Sequence, residues 1–216
     1  MSCERSEALH FINILHDLSE KEYLFSLIAY RAAPTIWGGK PASLVTFTKG
    51  LKNPYDLWSV YKFEICKKLR LEFLEIKDTG KSIRVLFYKR RALIRYINKK
   101  ECRRFLYDMG YDEGMSLDEC LMQLRQRFEY LCPHEVGVFL GIPVEDIKGF
   151  IQHKGEKSLI CSKYWKVYKN PRRSLSLFNT YDRAMAFVPG AIEKIYAHKA
   201  VKSCSACSRA SVFSCF

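Results

Sequence analysis

The feature that most constrains this chain is a change of period near residue 70. Pro54 opens a helical stripe of Leu57, Tyr61, Ile65 and Leu69. Two β-rich runs follow at once, Leu71–Lys77 and Ser82–Tyr88, joined through Asp78-Thr79-Gly80. Apolar residues three to four apart put one face of a helix against a core. Short apolar runs bounded by Asp and Gly form an antiparallel hairpin. A hairpin set among helices favours an α+β fold over a doubly wound parallel sheet.

The rest of the chain agrees. Ser19-Glu20-Lys21-Glu22 and Ser116-Leu117-Asp118-Glu119 each have the form of a capping box. The first leads into Tyr23, Leu24, Leu27 and Ile28, the second into Cys120, Leu121, Leu124 and Phe128. Arg90–Asn98 and Lys100–Met109 read as two short helices, the second stopped by Gly110. Ser43–Phe47 and Leu159–Tyr168 read as further strands. The expected architecture is a small, mainly antiparallel sheet of about four strands packed with helices, as a single domain over residues 1–190. A last helical region is expected to be interrupted at Pro189-Gly190. Residues 191–216 read as a helix remnant and a Ser/Cys-rich tail with little to bury, expected to be poorly ordered.

At 216 residues, with 48% hydrophobic and 27% charged residues, the chain can bury a core without disulfide or metal staples. No run approaches the roughly 18 apolar residues of a membrane span, and the first residues open no signal-peptide core. Nine cysteines, an odd number, suit a reducing cytoplasm and mostly free thiols. The net charge of +13 is unevenly spread. Residues 51–110 hold 16 Lys and Arg against 7 Asp and Glu, residues 111–153 hold 3 against 8, and residues 154–216 hold 12 against 3. Two basic regions therefore flank an acidic one, a field that favours anionic partners.

Four segments carry residue types suited to chemistry. Pro133-His134-Glu135 begins a short helical segment, with Gly137 and Gly141 four apart. Histidine titrates near neutral pH and a carboxylate can orient it, so His134 and Glu135 are the candidate acid/base residues. Proline at a helix start and a glutamate in its first turn also serve structure alone. Neighbours on a helix point about 100° apart, so each would need a partner from elsewhere. The Gly38-Gly39-Lys40-Pro41 loop offers backbone N–H groups and the Lys40 charge to an anion, or is a plain turn. In Tyr164-Trp165-Lys166-Val167-Tyr168, Trp165 could stack on a ligand and Lys166 add charge, or the run is a half-buried strand. Residues 81–104 hold ten basic residues and one acid, Glu101. Arg90, Arg91, Arg103 and Arg104 mark this surface, which is either simply solvated or faces a polyanion.

No phosphate-binding loop, dinucleotide fingerprint, nucleophile elbow or zinc-finger spacing is present. The C-x-x-C of Cys204 and Cys207 stands alone in the tail, and no metal site or cofactor is assigned.

Three of these segments, in this order, resemble a bacterial family catalogued as domain of unknown function 3793. They are Ala33-Pro34-Thr35 through Lys40-Pro41-Ala42-Ser43-Leu44, then Pro133-His134-Glu135-Val136-Gly137 through Gly141 with Pro143, Asp146 and Gly149-Phe150, and last Tyr164–Tyr168. The likeness runs from about Glu7 to Tyr181. This chain has Cys132 and Ile142 where the family pattern has aromatics, and Lys163 where it has glycine. The resemblance implies a cytoplasmic bacterial protein, leaves open whether it is an enzyme, and directs attention to Lys40, His134, Glu135, Trp165 and Lys166.

Two functions follow as expectations. One is a small anionic-ligand site, enzymatic or not, built from Lys40, His134, Glu135, Trp165 and Lys166. The other is a basic interaction module over residues 81–104 that docks an acidic, flavodoxin-like protein or, less favoured, nucleic acid.

Overall fold

The structure, a computed structural model, describes residues 11–156 and 161–210, with side chains as far as Tyr196. The expected hairpin is its centre. Strand β2 (Glu72–Asp78) returns as β3 (Ser82–Tyr88) through a turn in which Gly80 takes φ +72°. The Asp78 side chain accepts the Gly80 N–H at 2.8 Å, and the Thr79 hydroxyl accepts the Ser82 N–H at 3.1 Å. Strand β1 (Ala42–Thr48) pairs with the other edge of β3, antiparallel, with Ala42 opposite Tyr88 and Thr48 opposite Ser82. The sheet order is thus β1-β3-β2, and β3 is central.

Alternation along the strands makes both faces of the sheet apolar. Val45, Phe47, Ile83, Val85 and Phe87 enter one core. Ala42, Ile76, Leu86 and Tyr88 enter the other. Helices cover both. The first core takes α1 (residues 11–16), α2 (Glu20–Arg31), the single turn α3 (Ala33–Ile36) and α4 (Pro54–Leu69). Trp58 of α4 lies at its centre, stacked on Phe47 and edge-on to Phe87, both at 5.3 Å between ring centroids. The Trp58 indole N–H is satisfied by Glu75 at 2.9 Å. The second core takes α5 (Arg90–Ile97), α6 (Lys100–Asp108), α7 (Leu117–Arg127), α8 (Val136–Phe139) and α9 (Val144–Gln152). Each buried Phe or Leu there contributes about 1.5–3 kcal/mol by leaving water.

Both capping boxes form. Glu22 accepts from the Ser19 N–H and hydroxyl at 3.3 and 2.8 Å. Glu119 accepts from both donors of Ser116 at 2.7 Å, and its own N–H returns to the Ser116 hydroxyl.

Two expectations are corrected. The run Leu159–Tyr168 is not one strand. Its described part is a small hairpin, β4 (Cys161–Ser162) and β5 (Lys166–Val167), separate from the main sheet, so the fourth strand of the expected sheet is absent there. The chain turns at 163–165 because Trp165 is drawn inward, into a third apolar cluster with Val167, Phe178 and Tyr181. The last helix, α10 (Pro171–Ala210), is not interrupted at Pro189-Gly190. A proline inside a helix costs about 3 kcal/mol, but Val188 and Ile192 bury on either side of it in the first core. The backbone of the tail is helical to Ala210, while the side chains of Cys204 and Cys207 and all of residues 211–216 lie outside the described residues.

Candidate functional site

Small residues bring the three distinctive segments together. Gly141 takes φ +79°, and a Cβ there would lie 2.6 Å from Cδ of Pro41. A Cβ on Gly137 would lie 2.8 Å from the Ile147 side chain, and one on Gly149 would lie 2.5 Å from Tyr168. The end of α8 therefore sits on the Gly-Gly-Lys-Pro loop, and α9 sits on the segment after β5. The loop is itself clamped. The Lys40 N–H donates to Pro34 O at 3.0 Å, the Lys89 N–H donates to Pro41 O at 3.3 Å, and the Thr35 and Ser43 hydroxyls bond at 2.8 Å in the interior.

Asp146, in the first turn of α9, ties the next segments to this frame. Its side chain is 1% exposed and accepts four hydrogen bonds. One oxygen takes the Trp165 indole N–H at 2.9 Å and the Ser174 hydroxyl at 3.2 Å. The other takes the N–H groups of Tyr168 and Lys169 at 2.8 and 2.9 Å. A buried carboxylate is tolerable when donors surround it in this way. Trp165 is fixed in orientation, with Phe178 edge-on at 4.4 Å.

Between α8–α9 and the β4–β5 hairpin lies a cleft of about 590 Å³. Val136, Gly137, Ile142, Ile147, Phe150 and Trp165 give it apolar walls, while Cys132, His134, Ser162, Lys163 and Lys166 bring polar groups to it. The His134 ring meets Phe150 at 5.8 Å between centroids, inclined 62°. Lys166 donates to the Gly155 carbonyl and Lys163 pairs with Asp182 at 2.8 Å. Of the ionisable groups lining the cleft, His134 and Cys132 have no hydrogen-bond partner among the described residues, and both are exposed.

The structure thus brings together His134, Trp165 and Lys166 of the five expected site residues. Glu135 faces the other way. It is 2% exposed, pairs with Arg127 at 3.0 Å and accepts the Tyr111 hydroxyl at 3.4 Å. Burial first, and the nearby Glu135 carboxylate second, raise the Tyr111 hydroxyl far above its ordinary range. The angle between successive residues of the turn sends His134 to the cleft and Glu135 to the interior. Lys40 is not among the cleft's lining residues. Its ammonium lies 5.9 Å from the Tyr181 ring centroid, has no ion pair among the described residues, and is brought down to about 8 by burial. Trp165 is a wall held by its own hydrogen bond rather than an open stacking surface.

The four arginines of the basic segment also divide. Arg90 is paired with Asp118 at 2.7 Å and lies 3.5 Å from Glu72. Arg103 donates to Asn98 at 2.9 Å and to Met115 O at 3.1 Å. Arg91 and Arg104 are exposed. Sequence reasoning missed Phe150 and Ile147 as cleft residues because their spacing on α9 reads as an ordinary core face. Among the described residues, no three or more His, Cys, Asp or Glu side chains gather as a metal site, and no helix is long and apolar enough to cross a membrane.

The sequence pattern of one family, described as a protein of unknown function (DUF3793), matches residues 28–201. No curated protein and no solved structure matches the chain.

Proposed function

We propose that this chain, which belongs to the DUF3793 family, uses the cleft between α8–α9 and β4–β5 to bind a small molecule with a flat apolar body and one anionic group. The observation that carries this reading is the pairing of apolar walls with His134, an imidazole with no protein partner among the described residues. Small-molecule sites are mostly apolar clefts of roughly 300–1,000 Å³ with a few convergent polar groups. Lys163 and Lys166 add positive charge at the rim, which favours an anion even though their heads are already bonded. Binding fits better than acid–base turnover. Glu135 is turned away and Asp146 is saturated by four donors, so no carboxylate among the described residues is bonded to His134.

The chain fits a reducing compartment, and we place it in a bacterial cytoplasm. Cys66, Cys102 and Cys120 are free and buried as small apolar groups.

The test is a fluorescence titration with 1-anilinonaphthalene-8-sulfonate, a flat apolar anion. The expected result is one saturable site per chain, weakened about tenfold in His134→Ala and abolished by Ser162→Trp, which fills the cleft from an exposed position. Equal affinity in all three proteins, or no saturable binding, would overturn the reading.

A further inference from the structure

Away from the cleft, helices α5 and α6 present cations that no carboxylate neutralises, Arg95 donating only to the Arg91 carbonyl of its own helix at 3.3 Å. Arg91 and Arg95 stand four residues apart on α5, Lys100 and Arg104 four apart on α6, and Lys99 lies at the junction. Residues four apart share one helix face about 6 Å apart. All five are exposed, and none has an ion pair among the described residues. Lys99 lies 4.4 Å from the Tyr96 ring centroid, which orients its charge without neutralising it. The two helices carry only two carboxylates, Glu101 and Asp108. Their buried faces anchor them in the second core through Leu93, Ile97, Phe105 and Leu106, so the cations ride on a rigid support.

We infer that this ridge binds the phosphate backbone of nucleic acid, without base readout. An acidic protein is the weaker fit. Protein interfaces need a desolvated apolar centre, and the ridge offers little beyond Ile94 at 37% and Tyr107 at 58% exposure. Nucleic-acid interfaces are polar and strongly positive, and long side chains at these spacings reach successive phosphates. Arg90 and Arg103 fall out of the surface because Asp118 and Asn98 already hold them.

The experiment is fluorescence anisotropy of a labelled 20-base-pair duplex of mixed sequence, titrated with the full chain. Five phosphate contacts give a slope of log affinity against log salt of about −4.5. Affinity should then fall roughly 500-fold between 50 and 200 mM salt. The quadruple variant R91A/R95A/K100A/R104A should lose most of the 50 mM binding and retain only about a fourfold salt effect. A charge-matched control, K67A/K81A/R172A/R183A, should keep the wild-type slope, and circular dichroism should show both variants folded. The inference is overturned if the duplex does not bind at 50 mM salt, if the control loses as much as the ridge variant, or if poly-L-glutamate binds as tightly with the same slope.

Discussion

The Asp146 carboxylate accepts the Trp165 indole N–H at 2.9 Å, and through its remaining bonds it holds the chain from Tyr168 to Ser174. One side chain on α9 thereby positions the cleft wall, the end of the small hairpin and the start of α10. Asp146→Ala would strand several buried donors at once. We predict a loss on the order of 3–5 kcal/mol, read from urea unfolding, together with a red-shifted indole emission. A loss under about 1 kcal/mol would contradict this role.

The glycine at the end of α8 gives a second, independent prediction. Gly141→Ala meets both a positive φ and Pro41 at 2.6 Å. It should destabilise by about 2–4 kcal/mol. Gly190→Ala, inside α10 with nothing within 4 Å of the added Cβ, should instead stabilise by about 0.5–1 kcal/mol. Thermal unfolding of the two variants in opposite directions is the check.

These contrasts show what was legible beforehand. Periodicity and turn chemistry located the hairpin, β1, both capping boxes and α5–α6, because local forces set those elements. The split of residues 161–168 into a hairpin was not legible, since it depends on Asp146 reaching across to Trp165. The continuity of α10 through Pro189 was equally hidden, because burial of Val188 and Ile192 outweighs the lost backbone bond. In the site, motif order pointed to His134, Trp165 and Lys166. The inward turn of Glu135 depends on Arg127, eight residues upstream, and Lys40 was drawn elsewhere by the clamped loop.

Lys40 makes stability depend on pH. Its ammonium is lowered by burial from the ordinary 10.5 to about 8. Below about 8 both folded and unfolded chains hold the proton, and the cost of burying the charge is fully present. Between about 8 and 10.5 the unfolded chain holds a proton the folded chain has released, so this group's contribution to stability rises with pH. Lys40→Met should therefore stabilise the fold at pH 7 by on the order of 1–3 kcal/mol. The difference from wild type should shrink as pH rises toward 10. A destabilised Lys40→Met at pH 7 would show that the charge has a partner.

Thiol reactivity should follow burial. Burial pushes the Cys66 thiol up to about 12 and the Cys102 thiol up to about 11, whereas Cys132 is exposed at the cleft. Iodoacetamide at pH 7.5, with peptide mapping, should alkylate Cys132 at least roughly 100-fold faster than Cys66, Cys102 or Cys120. A bound cleft ligand should slow Cys132 and leave Cys66, Cys102 and Cys120 unchanged.

His134 and Glu135, adjacent in sequence, should separate by phenotype. Glu135→Gln removes the buried charge that half-buried Arg127 pairs with and should lower stability by about 2–4 kcal/mol while leaving anion binding near wild type. His134→Ala should weaken binding and leave the unfolding midpoint almost unchanged.

The most direct test of the cleft is a two-dimensional ¹H–¹⁵N spectrum titrated with 1-anilinonaphthalene-8-sulfonate, with the three indole signals assigned by single Trp→Phe variants. The Trp165 indole N–H and the backbone amides of residues 134–137, 147–150 and 162–166 should shift together and saturate at one ligand per chain. Shifts confined instead to the smaller apolar hollow formed by Phe11, Leu15, Tyr23 and Leu27, with Trp165 unmoved, would contradict it.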